Sequence, residues 1–184
     1  MDPLKIVQKY YNPESVSYHF LIQHSRMVAE KAVKIAERVK HLSPDMKFIQ
    51  EASMLHDIGI FLTNEPRIGC FGTKQYICHG YLGREILEKE GLSKHALVCE
   101  RHVGIGLSLE DIEEQNLPVP KSDMMPVSVE EQIICFADKF FSKDSDFLLT
   151  EKPLERIRKS IAKFGEEKLR QFDKWLKMFG VDTH

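Results

Sequence analysis

Apolar residues recur along this chain at helical rather than strand spacing. From Glu14 to about Val39, the residues Phe20, Leu21, Met27, Val28, Ala32, Ile35 and Val39 form the stripe of an amphipathic helix. Ser43, Pro44 and Asp45 read as the next helix start, with a hydroxyl at the N-cap, proline in the first helical position and acid in the first turn. The helix they open carries Phe48, Ile49, Ala52 and Leu55 up to His56 and Asp57, and Gly59 is expected to stop it. Thr63 to Thr73, with Asn64, Pro66, Gly69 and Gly72, predicts a loop. Helical spacing resumes from Gln75 to Lys89, closed by Gly91, and again from Ser93 to His102, closed by Gly104 and Gly106. Pro118, Pro120 and Pro126 predict an irregular stretch, followed by a helix from Val129 to Phe141. Beyond Pro153, the spacing of Leu154, Ile157, Ile161, Phe164, Leu169, Phe172, Leu176 and Phe179 gives one or two terminal helices, broken at Gly165. Their other face, Lys159 through Lys177, carries charges of both signs and reads as a solvated surface. Alternating patterns are nearly absent, so the fold class is read as all-α.

Length and charge narrow the function more than the fold. The 184 residues suit a single domain, 1–184, large enough to bury a real core. A net charge of −2 gives no basic excess, so a nucleic acid polymer or a membrane surface is not expected as partner, and a small molecule is. No stretch approaches the roughly 20 apolar residues that cross a bilayer, and Met1 to Lys5 lack a secretory pattern, so a cytoplasmic location is expected. Cys70, Cys78, Cys99 and Cys135 form no Cys-x-x-Cys pair and read as small core residues of a reducing compartment. Cys78 and Cys99 lie near histidines, so a thiolate ligand stays open as an alternative.

Polar residues interrupt the apolar stripes in telling places. His24 has Phe20 and Leu21 one turn before it and Met27 and Val28 one turn after, which puts its imidazole on the buried face. Asp138 sits the same way between Ile134, Cys135 and Phe141. A buried carboxylate without a counter-charge costs several kcal/mol or takes up a proton, and a metal ion supplies the charge. His56 and Asp57 stand at a helix end, where neighbours about 100° apart can still converge on one ion. Singly, each of the four reads equally as a hydrogen-bonded core residue.

The order His24, then Leu55-His56-Asp57-Ile58-Gly59, then Ala137-Asp138 resembles the HD-domain superfamily of metal-dependent phosphohydrolases, in its HDIG-type members. The resemblance runs from about Ser17 to Phe141 and leaves a helical extension at about 151–180. It implies a helical bundle, with the C-terminal helices packed on it, and His24, His56, Asp57 and Asp138 as metal ligands. Some members interpose two more histidines that hold a second ion, and His79 and His102 occupy those places here, each followed by a small glycine. A binuclear site of divalent transition metals (Fe, Mn, Ni, Co or Zn) bridged by Asp57 is therefore expected, because imidazole and carboxylate suit such ions better than Mg or Ca. Alternatively, His79 and His102 bind substrate phosphate. The implied reaction is hydrolysis of a small phosphate ester by metal-bound hydroxide, with Asp57, His79 and His102 catalytic. Arg101, beside a ligand, and Lys139, directly after another, are the nearest cations to bind the substrate phosphate, and each reads alternatively as a surface ion-pair residue. Two alternatives stay open: a di-iron oxygenase on the same residues, and a ligand-sensing domain whose metal is structural. His19, His41, His95 and His184 receive no role.

Overall fold

Ser15 caps the helix that the longest apolar stripe builds, its hydroxyl accepting from the Tyr18 amide. In this computed structural model, which describes residues 1–142 and 148–180, that helix is α2 (Val16–Arg38), preceded by α1 (Pro3–Tyr10). α3 (Met46–Leu55) follows, then an antiparallel pair, β1 (Asn64–Glu65) and β2 (Cys70–Phe71). The remaining helices are α4 (His79–Lys89), α5 (Ser93–Arg101), α6 (Leu109–Glu114), α7 (Val129–Asp138), α8 (Leu154–Ile161) and α9 (Glu166–Met178). The described residues are thus mostly helical, as the spacing predicts. None of their helices is long and apolar enough to cross a membrane. His184 lies outside the described residues.

Several boundaries differ from expectation for local reasons. Ser43 adopts a left-handed conformation, φ 53°, and Asp45 is the true cap of α3, its carboxylate accepting from the Phe48 amide. α1 and α6 arise where no stripe was read, because each is short. α6 is fixed by a reciprocal capping box between Ser108 and Asp111. The predicted loop at Thr63 to Thr73 contains the small β pair.

Two apolar clusters make the core. One joins the C-terminal half of α2 (Val28, Ala32, Ile35) to Ile49 and Ala52 of α3, Ile133 to Ala137 of α7, and the faces of α8 and α9. Phe136 meets Phe172 and Phe179 with ring centroids 5.1 and 5.2 Å apart, so the C-terminal helices are built into this cluster. The other joins Val7 and Tyr11, the N-terminal half of α2 (Phe20, Leu21), Leu55, Ile58 and Ile60, and Ile86 and Leu87 of α4. Along α2, His24 falls between the residues given to each. His24, His56, Asp57, His79 and His102 are among the buried polar residues.

Candidate metal centre

His24 Nε2 lies 3.0 Å from Asp138 Oδ1 although 114 residues separate them, so α2 and α7 present these side chains to one point. α3 ends at Leu55, His56 keeps a helical conformation as its cap, and Asp57 turns out of the helix at φ −104°, ψ 12°. That change lets both side chains face the same space: His56 Nε2 is 3.6 Å from Asp57 Oδ2 and 3.6 Å from Asp138 Oδ1. Asp57 Oδ2 also lies 3.4 Å from His24 Nε2.

The second carboxylate oxygen of Asp57 faces another pair. Asp57 Oδ1 is 3.2 Å from His79 Nε2 and 3.2 Å from His102 Nε2, and those two nitrogens are 3.1 Å apart. His79 opens α4 and His102 closes α5, and Gly80 lets the two helices approach closely. A Cβ on Gly80 would stand 2.7 Å from Val103 Cγ2 and 2.8 Å from the Cys99 carbonyl oxygen, so a side chain there would push α4 off α5. A Cβ on Gly59 would stand 2.3 Å from the His79 carbonyl oxygen. Gly59 is therefore a contact point against the start of α4 rather than the stop expected of it, since α3 has already ended at Leu55.

Three imidazoles share one hydrogen-bonding pattern. Nδ1 of His56, His79 and His102 donates to the carbonyl three residues earlier, at Ser53, Tyr76 and Cys99, over 2.6, 2.6 and 2.7 Å. A carbonyl only accepts, so Nδ1 carries the proton and, in the neutral ring, Nε2 turns a lone pair inward. Burial holds His102 in that neutral form by lowering its pKa to about 4. Lone pairs at 3.1 Å repel unless a cation or proton lies between them, and His56 Nε2 is buried without a hydrogen-bond partner. His24, His56 and Asp57, and again Asp57, His79 and His102, bring ligand atoms close enough to share an ion. This donor set fits divalent cations.

A comparison of the sequence with family models matches the HD domain over residues 21–143. The chain belongs to the HD-domain family. The matched span contains all six of the HD residues just described, from His24 to Asp138. Among curated proteins, the chain is 28% identical over 85% of its length to a tRNA (cytidine(56)-2'-O)-methyltransferase of Thermoplasma volcanium. It is 35% identical over 64% of its length to an uncharacterized protein of Methanocaldococcus jannaschii. A second tRNA (cytidine(56)-2'-O)-methyltransferase, from Picrophilus torridus, is 30% identical over 67% of the chain. These alignments span 42%, 64% and 32% of the relatives' own lengths, less than two thirds of each. No solved structure matches the chain.

Around the HD residues, electrostatics follow the packing. Burial lowers the pKa of His24. At His56 burial pulls the same way, but Asp57 and Asp138 outweigh it and the net shift is upward. Burial alone would raise Asp138, whereas Lys139, His24 and His56 together hold it well below the usual carboxylate range. The two cations expected to bind substrate are engaged within the HD domain. Arg101 donates from one terminal nitrogen to both carboxylate oxygens of Glu131, at 3.2 and 3.0 Å. Lys139 Nζ sits 2.7 Å from Asp138 Oδ2 and donates to the His102 carbonyl.

The four cysteines are free and buried. Cys78 Sγ donates to the Pro118 carbonyl and Cys99 Sγ to that of Leu55, and neither joins the metal-competent groups. His95, given no role, packs edge-on against Phe48, 4.9 Å between ring centroids, with its Nε2 3.6 Å from a Glu51 carboxylate oxygen. Two supporting residues went unread. Tyr11 donates its hydroxyl to the Ile58 carbonyl beside Asp57, and Cys135 Sγ donates to the carbonyls of His102 and Gly104. Tyr11 carries no signal in the sequence, being 47 residues from its acceptor. Cys135 does carry one, standing one helical turn before Asp138.

Proposed function

We propose that this HD domain is a metal-dependent phosphohydrolase acting on a small phosphate ester. The observation that carries the reading is Asp57, which offers one carboxylate oxygen to His24 and His56 and the other to His79 and His102. Such a residue suits two ions, one held by His24, His56, Asp57 and Asp138, the other by Asp57, His79 and His102. Two divalent ions would bring four positive charges against two carboxylates, a balance that favours an anionic substrate. Bound there, the ions would lower the pKa of coordinated water toward about 7 and offset charge on phosphoryl oxygens. The chain's own part is to hold the donors rigidly, through Nδ1 bonds to backbone carbonyls, and to exclude bulk water with the apolar clusters on either side.

The same six residues serve the oxygenase alternative equally, and no observation favours it. Methyl transfer is named for two relatives of which the alignments span only 42% and 32%, so that activity is not carried over to this chain. Those names do recommend nucleotides within the substrate panel. The buried free cysteines suit a reducing compartment, in keeping with a cytoplasmic enzyme.

The test begins with metal analysis of purified protein. Metal-stripped protein is then restored with Mn, Fe, Co, Ni or Zn and offered phosphomonoesters, phosphodiesters, nucleotides and tRNA. Release of phosphate or of the alcohol that requires metal and proceeds without oxygen is expected. Turnover of an iron-loaded sample only in air would replace hydrolysis by oxygenation, and metal-dependent melting without any turnover would leave a sensing domain.

A further inference from the structure

Asp57 joins the two halves of the centre from within, and a second residue joins them from outside. Lys139, directly after α7, places its ammonium 2.7 Å from Asp138 Oδ2 and 3.2 Å from the His102 carbonyl oxygen. Asp138 belongs to the first group of donors and His102 to the second. The His102 carbonyl stands at the end of α5, where backbone acceptors lose their helical partners. Cys135, one turn earlier and on α7, sends its thiol to the same carbonyl over 3.5 Å, so the last turn of α7 and the residue that follows it grip the end of α5. With one carboxylate oxygen on Lys139, Asp138 turns the other toward His24 and His56.

We propose that Lys139 is a positioning residue for the metal centre, fixing the Asp138 carboxylate and the end of α5 that carries His102, rather than a group that contacts substrate. The inference rests on the metal reading above. Its sign is set by two opposed effects. The ammonium repels a cation in the site, but from behind a carboxylate whose two oxygens divide between them. Its loss frees the Asp138 side chain and leaves the His102 carbonyl to the weak thiol donor alone. Partners that orient metal ligands in this way are worth roughly 10- to 100-fold in metal affinity, and the positioning effect prevails.

The test titrates metal-free protein with Co(II), read by calorimetry and by visible absorption, which reports the ligand geometry. Lys139→Met keeps the length of the side chain and removes its charge, while Lys139→Arg keeps a donor that can span the same two oxygens. Affinity is expected to fall about tenfold or more in Lys139→Met with an altered Co(II) spectrum, and Lys139→Arg to recover most of both. Equal affinity and spectrum in Lys139→Met and the parent would overturn the inference, as would Lys139→Arg failing alongside Lys139→Met. If Lys139→Met does not fold, Lys139→Gln is judged by the same criteria. A parent protein that binds no Co(II) would remove the metal reading and this inference together, whereas unchanged binding in the variant removes the inference alone.

Discussion

At the scale of single residues, Asp57 concentrates the consequences. It faces four imidazoles, so Asp57→Ala should empty both halves of the centre together, with bound metal falling below a tenth of the parent's in elemental analysis. Full metal retention in that variant would reject the assignment. The histidines also tie stability to pH. His102 is held near 4 by burial against about 6.5 in the unfolded chain, so as pH falls the unfolded chain takes up the proton first. Its contribution is complete above about 6.5 and is lost as pH falls through 4, on the order of 3 kcal/mol. His24, also lowered, acts in the same direction, and His56, raised, opposes it. Metal-free protein should therefore melt at a lower temperature at pH 5 than at pH 7; an equal or higher value at pH 5 would reject this account. His24 and Asp138 were legible because each breaks an apolar stripe, His56 and Asp57 because they stand in the His-Asp-Ile-Gly run, and His79 and His102 only through the family resemblance. The engagement of Arg101 was not, since Glu131 reads as an ordinary first-turn acid of α7 and only the fold sets it against Arg101.

At the scale of elements, the centre depends on how closely short segments approach. The turn after Asp57 presses on the first residue of α4 through Gly59, and nothing larger fits. Gly59→Ala should cost about 1–3 kcal/mol by overpacking and should weaken metal binding as well, because the atom displaced is the His79 backbone. A melting curve and a metal titration on the same sample check both effects, and a normal titration would separate Gly59 from the site. The spacing of apolar residues sufficed to find α2, α3, α4, α5, α7 and the terminal helices, since each has a long enough stripe to repeat. It could not find α1 or α6, which have six to eight residues and rely on caps and tertiary contacts. It also misread the start of α3, because Ser43 and Asp45 are both competent caps and only the backbone decides between them.

At the scale of the molecule, the C-terminal helices support α7 and thereby Asp138. Trp175 is fully buried in the cluster that includes Phe136, so Trp175→Ala should destabilise the protein by about 3–5 kcal/mol. Chemical denaturation measures that loss, and a change below 1 kcal/mol would show that α9 is a mere appendage. Exposure is divided unevenly around the centre. Among the six grouped residues, Asp138 has a side chain 15% accessible, while those of the other five are 5% or less. On the two-ion reading proposed above, the Asp138 side is the more open face of the centre, and exchange with solvent is expected to run through it. If two ions are held as proposed, a chelator is expected to strip the protein in two kinetic phases, the ion on the Asp138 side first, and a single phase would reject that order of release.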